Sequence, residues 1–352
     1  MDIQQAGGQF TQSTIAKYNE MIEAPSFLSA LFKPVLTATK YVSIQVKRGT
    51  EKIAVEVQRG TEGNPNDMSK VTQKTYFPRF FDEKGDITEL EGFNAANVDN
   101  PPMSAVADLS KKVSEMLFEF RSMIDRAKEL MAAQVLETGV VITRFGESIN
   151  YQRKAASLVD NSANPWTTAT TNVEAQLISG ADFIREEGHY TGGLLDLIMS
   201  GEAWVALQST NYFKDKADFN NVKLITINEP KIDARGAVYH GRITAGSYVF
   251  NVWTYDQSHI DDTNTRVRYT DAKKAVMIPN SGADFIYAHG GIVYADNDRI
   301  RVAKAQYVEY SHVDTVKTTY DFGIKSSPLP VPVTIDMIYT MQILGDGNPV
   351  VE

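Results

Sequence analysis

Apolar residues along this chain follow two different periods, and the places where one gives way to the other outline its elements. Val42, Ile44 and Val46 alternate with Ser43, Gln45 and Lys47, and Ile53, Val55 and Val57 alternate with Ala54, Glu56 and Gln58. A period of two marks a strand with one covered face. Arg48-Gly49-Thr50-Glu51-Lys52 joins the two strands into a β-hairpin. Val71 to Phe77 reads as a further strand returning from the turn-rich Gly60 to Asp67 segment. An extension of this kind has too little surface of its own to bury, so it is expected to lie on another surface, in the same subunit or the next. Upstream, residues 1–40 are polar and then mixed. Pro25 and Pro34 interrupt any helix there, and Phe27, Leu28, Leu31 and Phe32 are the anchors of an arm that docks.

The period then becomes helical. Between Ser104 and Glu137 apolar residues recur in steps of three and four, through Val106, Leu109, Val113, Met116, Phe120, Ile124, Leu130 and Val135. Pro101-Pro102 precedes the run, Ser104 reads as the N-cap, and Gly139 stands just past its end as a C-cap signal. Such a helix would be about 50 Å long, the spine of a domain, with its single stripe packed on a sheet. Val140 to Tyr151 reads as the next strand, bent at Gly146.

Asp160 to Asn172, polar around Asn164-Pro165-Trp166, reads as a loop at a domain boundary. Beyond it the pattern predicts a short helix over 181–190, a buried strand over 194–199 and a helix over 202–219, a succession of α/β character. Strands are expected over 239–255, with Val249, Val252 and Trp253 as core, and over 273–279. The last segment alternates through Val316, Tyr320 and Phe322, and Val331 to Met341 holds one further face. This C-terminal pattern is expected to close the sheet begun by the strand after the spine helix.

Composition narrows the class. With 352 residues and 43% apolar content, two or three domains with a real core are expected. The absence of cysteine excludes disulfides, zinc–thiolate sites and thiol nucleophiles together. A net charge of −9 argues against a surface dedicated to coating DNA, though not against a protein that encloses it. The start of the chain lacks the basic and apolar regions of a signal peptide, and no run approaches a membrane span. A soluble protein made in a cytoplasm is the expectation.

Candidate chemistry is sparse. None of His189, His240, His259, His289 and His312 belongs to a metal-binding pair, and no nucleophile elbow, phosphate loop or dinucleotide fingerprint occurs. His289-Gly290-Gly291 has the form of an oxyanion-hole loop but lacks a nucleophile motif, so a turn is the better reading. His259-Ile260-Asp261-Asp262 and Asp296-Asn297-Asp298 lack calcium-loop spacing and read as turns. Trp166, Trp204 and Trp253 have no adjacent basic residues to make them base-stacking platforms, and Trp204 and Trp253 read as core. Lys111-Lys112 reads as the solvated face of the spine helix. No catalytic, cofactor-binding or metal-binding residue is assigned.

The order of these parts resembles that of the tailed-bacteriophage major capsid proteins, specifically the lambda-type capsid protein E family. The resemblance rests on the Phe27 to Phe32 arm, the Val42 to Val57 hairpin, Gln134 to Gly139 at the end of the spine, Asp182-Phe183-Ile184 with Leu195 to Met199 and Trp204 to Leu207, Tyr239 to Arg242 with Val249 to Tyr255, and Lys273 to Pro279. It implies an α+β chain with the Hong Kong 97-type fold. Its parts would be an N-terminal arm (1–40), an extended loop or E-loop (41–77), a peripheral domain (78–154 and 306–352, spine about 104–137) and an α/β axial domain (155–305).

Such a protein would assemble with itself as hexamers and pentamers into an icosahedral virion head that encloses double-stranded DNA without sequence-specific binding. Arm and loop would lie across neighbouring subunits. A portal at one vertex, a separate scaffolding protein and a decoration protein are the further partners the resemblance implies; no membrane is. Fewer than 105 residues precede the spine, which leaves no room for a fused scaffold. Covalent crosslinking through Lys52 or Lys70 is not expected, because the lambda-type family does not generally use it. An encapsulin-like compartment of the same fold is the alternative, and a soluble α/β enzyme a more distant one.

Overall fold

The helical period from Ser104 onward is realised as α1, Pro102–Thr138, 37 residues long and so about 55 Å. It appears in a computed structural model that describes residues 23–47, 71–87, 102–142, 148–217, 225–232, 235–296, 299–314 and 319–345. The helix starts two residues before the expected Ser104 cap, with Pro102 as its first residue, where a missing N–H costs nothing. It stops at Gly139, whose φ of +71° only glycine adopts without strain and whose N–H donates to Val135 O at 3.0 Å. Beyond Gly139 the single expected strand is two short ones, Val140–Ile142 and Ser148–Asn150, paired antiparallel.

The largest sheet has seven strands. In order they are Leu158–Asp160, Tyr339–Gln342, Lys274–Pro279, Leu194–Met199, Tyr248–Thr254, Val238–Ala245 and Ile225–Ile232. Leu194–Met199 runs as the sequence pattern indicates and is buried along nearly its whole length. The C-terminal strand corrects the expectation: it enters this sheet between Leu158–Asp160 and Lys274–Pro279, not the hairpin after α1. Nor is 331–341 one face. It is divided into Pro328–Pro332, a 3-10 turn at Ile335–Met337 and Tyr339–Gln342, and the two strands lie in two different sheets.

Helices cover the sheet. α2 spans Val173–Glu186, earlier than the expected 181–190, because Asn172 caps it with Oδ1 accepting from Ala175 N–H. The single helix expected over 202–219 is two, α3 (Gly201–Ser209) and α4 (Asn211–Ala217). The break is Thr210, whose hydroxyl donates to Leu207 O at 2.6 Å and whose own backbone is extended. Between Tyr248 and Thr254 the core residues are Phe250 and Val252, while Val249 and Trp253 are only half-buried. The 160–172 segment is a loop, but Trp166 within it has no exposure, and its indole N–H donates to Gln176 Oε1.

Two apolar cores result. One holds Trp166, Leu177, Ile184, Leu197, Phe250 and Met341 between the helices and the large sheet. The other gathers the C-terminal half of α1, the arm and a three-stranded sheet. That sheet is Lys33–Leu36 parallel to Phe285–His289, which is antiparallel to Pro328–Pro332. The N-terminal half of α1 lies instead on Phe81–Ile87 and Thr319–Ser326, in a sheet that Val308–Asp314 completes. Gly85 permits the close approach: a Cβ there would stand 3.0 Å from Met116 Cε and 3.1 Å from Phe120 Cζ.

Candidate assembly surfaces

The arm docks on its own chain. Phe27 stacks between Trp253 and Tyr255, at ring-centroid distances of 5.3 and 5.7 Å. Phe32 meets Phe285 and Tyr287 at 5.5 and 5.9 Å. Burying such rings is worth about 2–3 kcal/mol each, enough to hold a short segment. The expectation that the arm lies across a neighbour is therefore corrected for residues 25–36; residues 1–22 lie outside the described residues.

The extended loop also differs from its expected pairing. Val42–Lys47 pairs antiparallel with Val71–Tyr76, from Val42 opposite Tyr76 to Lys47 opposite Val71. The return strand is thus as expected, whereas the hairpin partner at 53–57, with Lys52 and Lys70, lies outside the described residues. At the foot of this ribbon Tyr41 and Phe77 form an edge-to-face pair at 6.5 Å, and Phe77 is 62% exposed. A second ribbon, Ile292–Asp296 with Arg299–Ala303, sets Val293 opposite Val302. Val293 and Val302 are more than half exposed and Ile300 is 83% exposed, while Ile292 on the other face is buried. A groove of about 830 Å³ runs beside α1, between Met123, Ala127 and Leu130 on one side and Ile260, Asp261 and Arg266 on the other. Its lining mixes carboxylates and guanidinium groups with apolar side chains.

The residues singled out in the sequence for chemistry are not brought together. Gly290 N–H donates to Ser327 O and Gly291 N–H to Thr39 O, both at 2.8 Å, so neither amide is free to serve an oxyanion. Burial pushes the His289 imidazole down to about 4, which keeps it neutral; both its ring nitrogens are buried without a hydrogen-bond partner. Asp261 Oδ1 accepts from Thr263 N–H and Thr265 N–H at 2.9 Å, the bonding of a turn. Bonds from Thr263 and Thr265 hold its carboxyl below the usual range, and burial lowers His259. Asn297 and Asp298 lie outside the described residues. Trp204 stacks on His240 at 4.7 Å and is buried. Lys112 is exposed and Lys111 half-buried on α1. Among the described residues no cluster of three metal-ligating side chains occurs, and no helix is long and apolar enough to cross a membrane.

Sequence reasoning missed Arg153, which fixes the end of α1. Its guanidinium donates to Leu136 O, Thr340 Oγ1, Ser157 Oγ, Ser157 O and Ile338 O at 2.8–3.2 Å. Burial lowers its pKa to about 10, so it stays charged at neutral pH. Nothing in the local sequence marks it, because its partners lie up to 187 residues away.

A long spine helix lying on a sheet, a sheet-centred α/β body, a docked arm and projecting two-stranded ribbons together define the Hong Kong 97-type capsid fold. A putative capsid protein of a prophage of E. coli CFT073 matches with a TM-score of 0.59 at 14% identity, over 95% of this chain and 98% of that one. The mature capsid of bacteriophage PhiM1 matches at 0.51 and 8% identity, over 93% and 89%. An encapsulin of Synechococcus elongatus PCC 7942 matches at only 0.45 and 9% identity, over 92% and 88%. The family model for phage major capsid protein E matches residues 11–343, and the chain belongs to that family. It is a structural subunit of a capsid shell. No curated protein sequence matches the chain.

Proposed function

We propose that this chain assembles with copies of itself, as hexamers and pentamers, into the closed icosahedral head of a tailed phage around double-stranded DNA, and that it catalyses no reaction. The carrying observation is the pair of ribbons whose apolar residues, Tyr41 and Phe77 on one and Val293, Ile300 and Val302 on the other, stand exposed on the single subunit. A subunit whose partners are its own copies has a use for such faces. The 49–77 loop overlaps the spine of an adjacent subunit. A separate scaffolding protein, a portal at one vertex and a decoration protein complete the head, and the subunit is made in the host cytoplasm.

The subunit divides into two domains. The peripheral domain comprises 78–154 with 306–352 and the axial domain 155–305, with the Tyr339–Gln342 strand of the former lending itself to the large sheet of the latter. The net charge of −9 suits an inner wall that lets a dense genome slide instead of gripping it.

Deletion of residues 60–68, followed by negative-stain microscopy, tests the assembly role of the loop. Loss of closed shells is expected, and normal stable particles would refute it. Nuclease-protected DNA in purified particles supports a virus head, whereas a co-purifying cargo enzyme would point to a compartment instead.

A further inference from the structure

Glu129 sits in the most enclosed stretch of α1 and has no solvent exposure. Three donors meet its carboxylate, none of them from its own helix. Leu28 N–H at 2.8 Å and Tyr255 O–H at 2.7 Å reach Oε1, and Ser29 N–H at 2.8 Å reaches Oε2. Each partner donates, so the ionised carboxylate, which only accepts, is the form that satisfies them all. Burial works against that charge and raises the pKa, while the same bonds lower it.

Two of those donors have a particular origin. Ser29–Leu31 is a 3-10 turn, and its N-cap Leu28 provides no side-chain cap. The first amides of such a turn have no partner within it. Glu129 supplies the cap from about a hundred residues away in sequence. From that turn the chain is fixed step by step toward the projecting loop. Lys33–Leu36 pairs in register with Ile286 to His289. Thr37 N–H donates to His289 O at 2.9 Å, and Gly291 N–H to Thr39 O at 2.8 Å. Val42, which opens the ribbon, is itself buried in the same core as Phe27 and Phe32.

We infer that Glu129 is a positioning residue for assembly: it registers the arm on the spine helix and thereby sets the direction in which the Val42–Lys47/Val71–Tyr76 ribbon leaves the subunit. The apolar anchors alone would hold the arm near this place, but ring packing tolerates sliding and two amides bonded to two oxygens of one carboxylate do not. This inference rests on the shell reading for its consequence, though not for the docking itself.

The test is amide hydrogen exchange at Leu28 and Ser29 in the full-length protein, with shells counted by negative-stain microscopy. In the wild type, two amides at the start of a three-residue turn should exchange as slowly as those in the core of α1. Fast exchange there overturns the inference before any variant is made. Glu129→Gln keeps the shape but turns an NH₂ group toward a donor. Exchange at Leu28 and Ser29 should then speed by roughly tenfold to a hundredfold, with Val135 unchanged. Shells should become fewer or misshapen. Unchanged exchange in Glu129→Gln refutes the registering role, and a released arm with normal shells refutes its importance to assembly. Wild-type protein that forms no shells counts against the shell reading alone, since the exchange rates still decide whether Glu129 holds the arm.

Discussion

The two halves of α1 are one continuous apolar stripe in two different surroundings. From Ser122 onward Ile124, Glu129, Met131, Val135 and Leu136 are buried, enclosed by the arm, the three-stranded sheet and the end of the large sheet. Before it, Val113, Met116, Leu117 and Phe120 are half-buried on one antiparallel sheet, and Phe118 is 38% exposed. Phe120 still finds Phe322, at 6.2 Å. The same periodicity thus serves a core at one end, open only along the groove where Met123 is 48% exposed, and a half-buried surface at the other. The C-terminal half fixes the subunit, and the N-terminal half leaves Phe118 at its surface.

The largest effect should come from unpinning the enclosed end. Arg153→Ala takes the side-chain donor from Ile338 O, leaves Leu136 O with only the Thr340 hydroxyl, and removes the charge that joins α1 to the large sheet, so a loss of about 3–5 kcal/mol is expected in urea unfolding of the unassembled subunit. A loss under about 1 kcal/mol would show that the two halves of α1 are held alike.

Next in size is a pH effect at the same end. Glu137 lies in the last turn of α1, where the helix dipole disfavours a negative charge, and accepts from Asp271 N–H at 2.6 Å. Burial is the main cause that raises its pKa, to about 7; the neighbouring Asp271 carboxylate adds to this, and Lys274 opposes it. Because the folded value lies above the ordinary one, the contribution to stability is fully present below about pH 4.5 and lost as pH rises through about 7, on the order of 3 kcal/mol in all. Urea midpoints between pH 4.5 and 8 should fall with pH in the wild type and less steeply in Glu137→Gln. Parallel curves would remove Glu137 from the account.

The smallest effect on the subunit belongs to the N-terminal half. Phe118→Ser should change unfolding by no more than about 0.5 kcal/mol while lowering the yield of shells. Equal yields would mean that this half of the helix is merely solvated.

Much of the fold was legible because hydrophobic period reports which face of an element is covered. Leu194–Met199, Val71–Tyr76 and the Gly139 stop can be read directly from the sequence. Errors cluster where a single polar residue overrides the pattern. Asn172 starts α2 early, and Thr210 cuts one helix into two. Of the assembly surfaces, the loop and the arm were visible as segments unable to bury themselves. That the arm folds back on its own subunit was not, since any apolar floor would have matched Phe27 and Phe32.

By itself, then, the sequence determined the spine and the better-patterned strands, the absence of thiol chemistry and the order of parts that marks the family. The tertiary structure alone decided which strands are partners: that Val42–Lys47 takes Val71–Tyr76, and that Tyr339–Gln342 enters the large sheet. It alone placed Glu129 on Leu28 and Ser29, and Arg153 on the end of α1. The physical reason is range. Periodicity is written in neighbours three or four residues apart, whereas strand register and the satisfaction of buried polar groups are settled between residues a hundred or more positions apart, once the chain has closed around them.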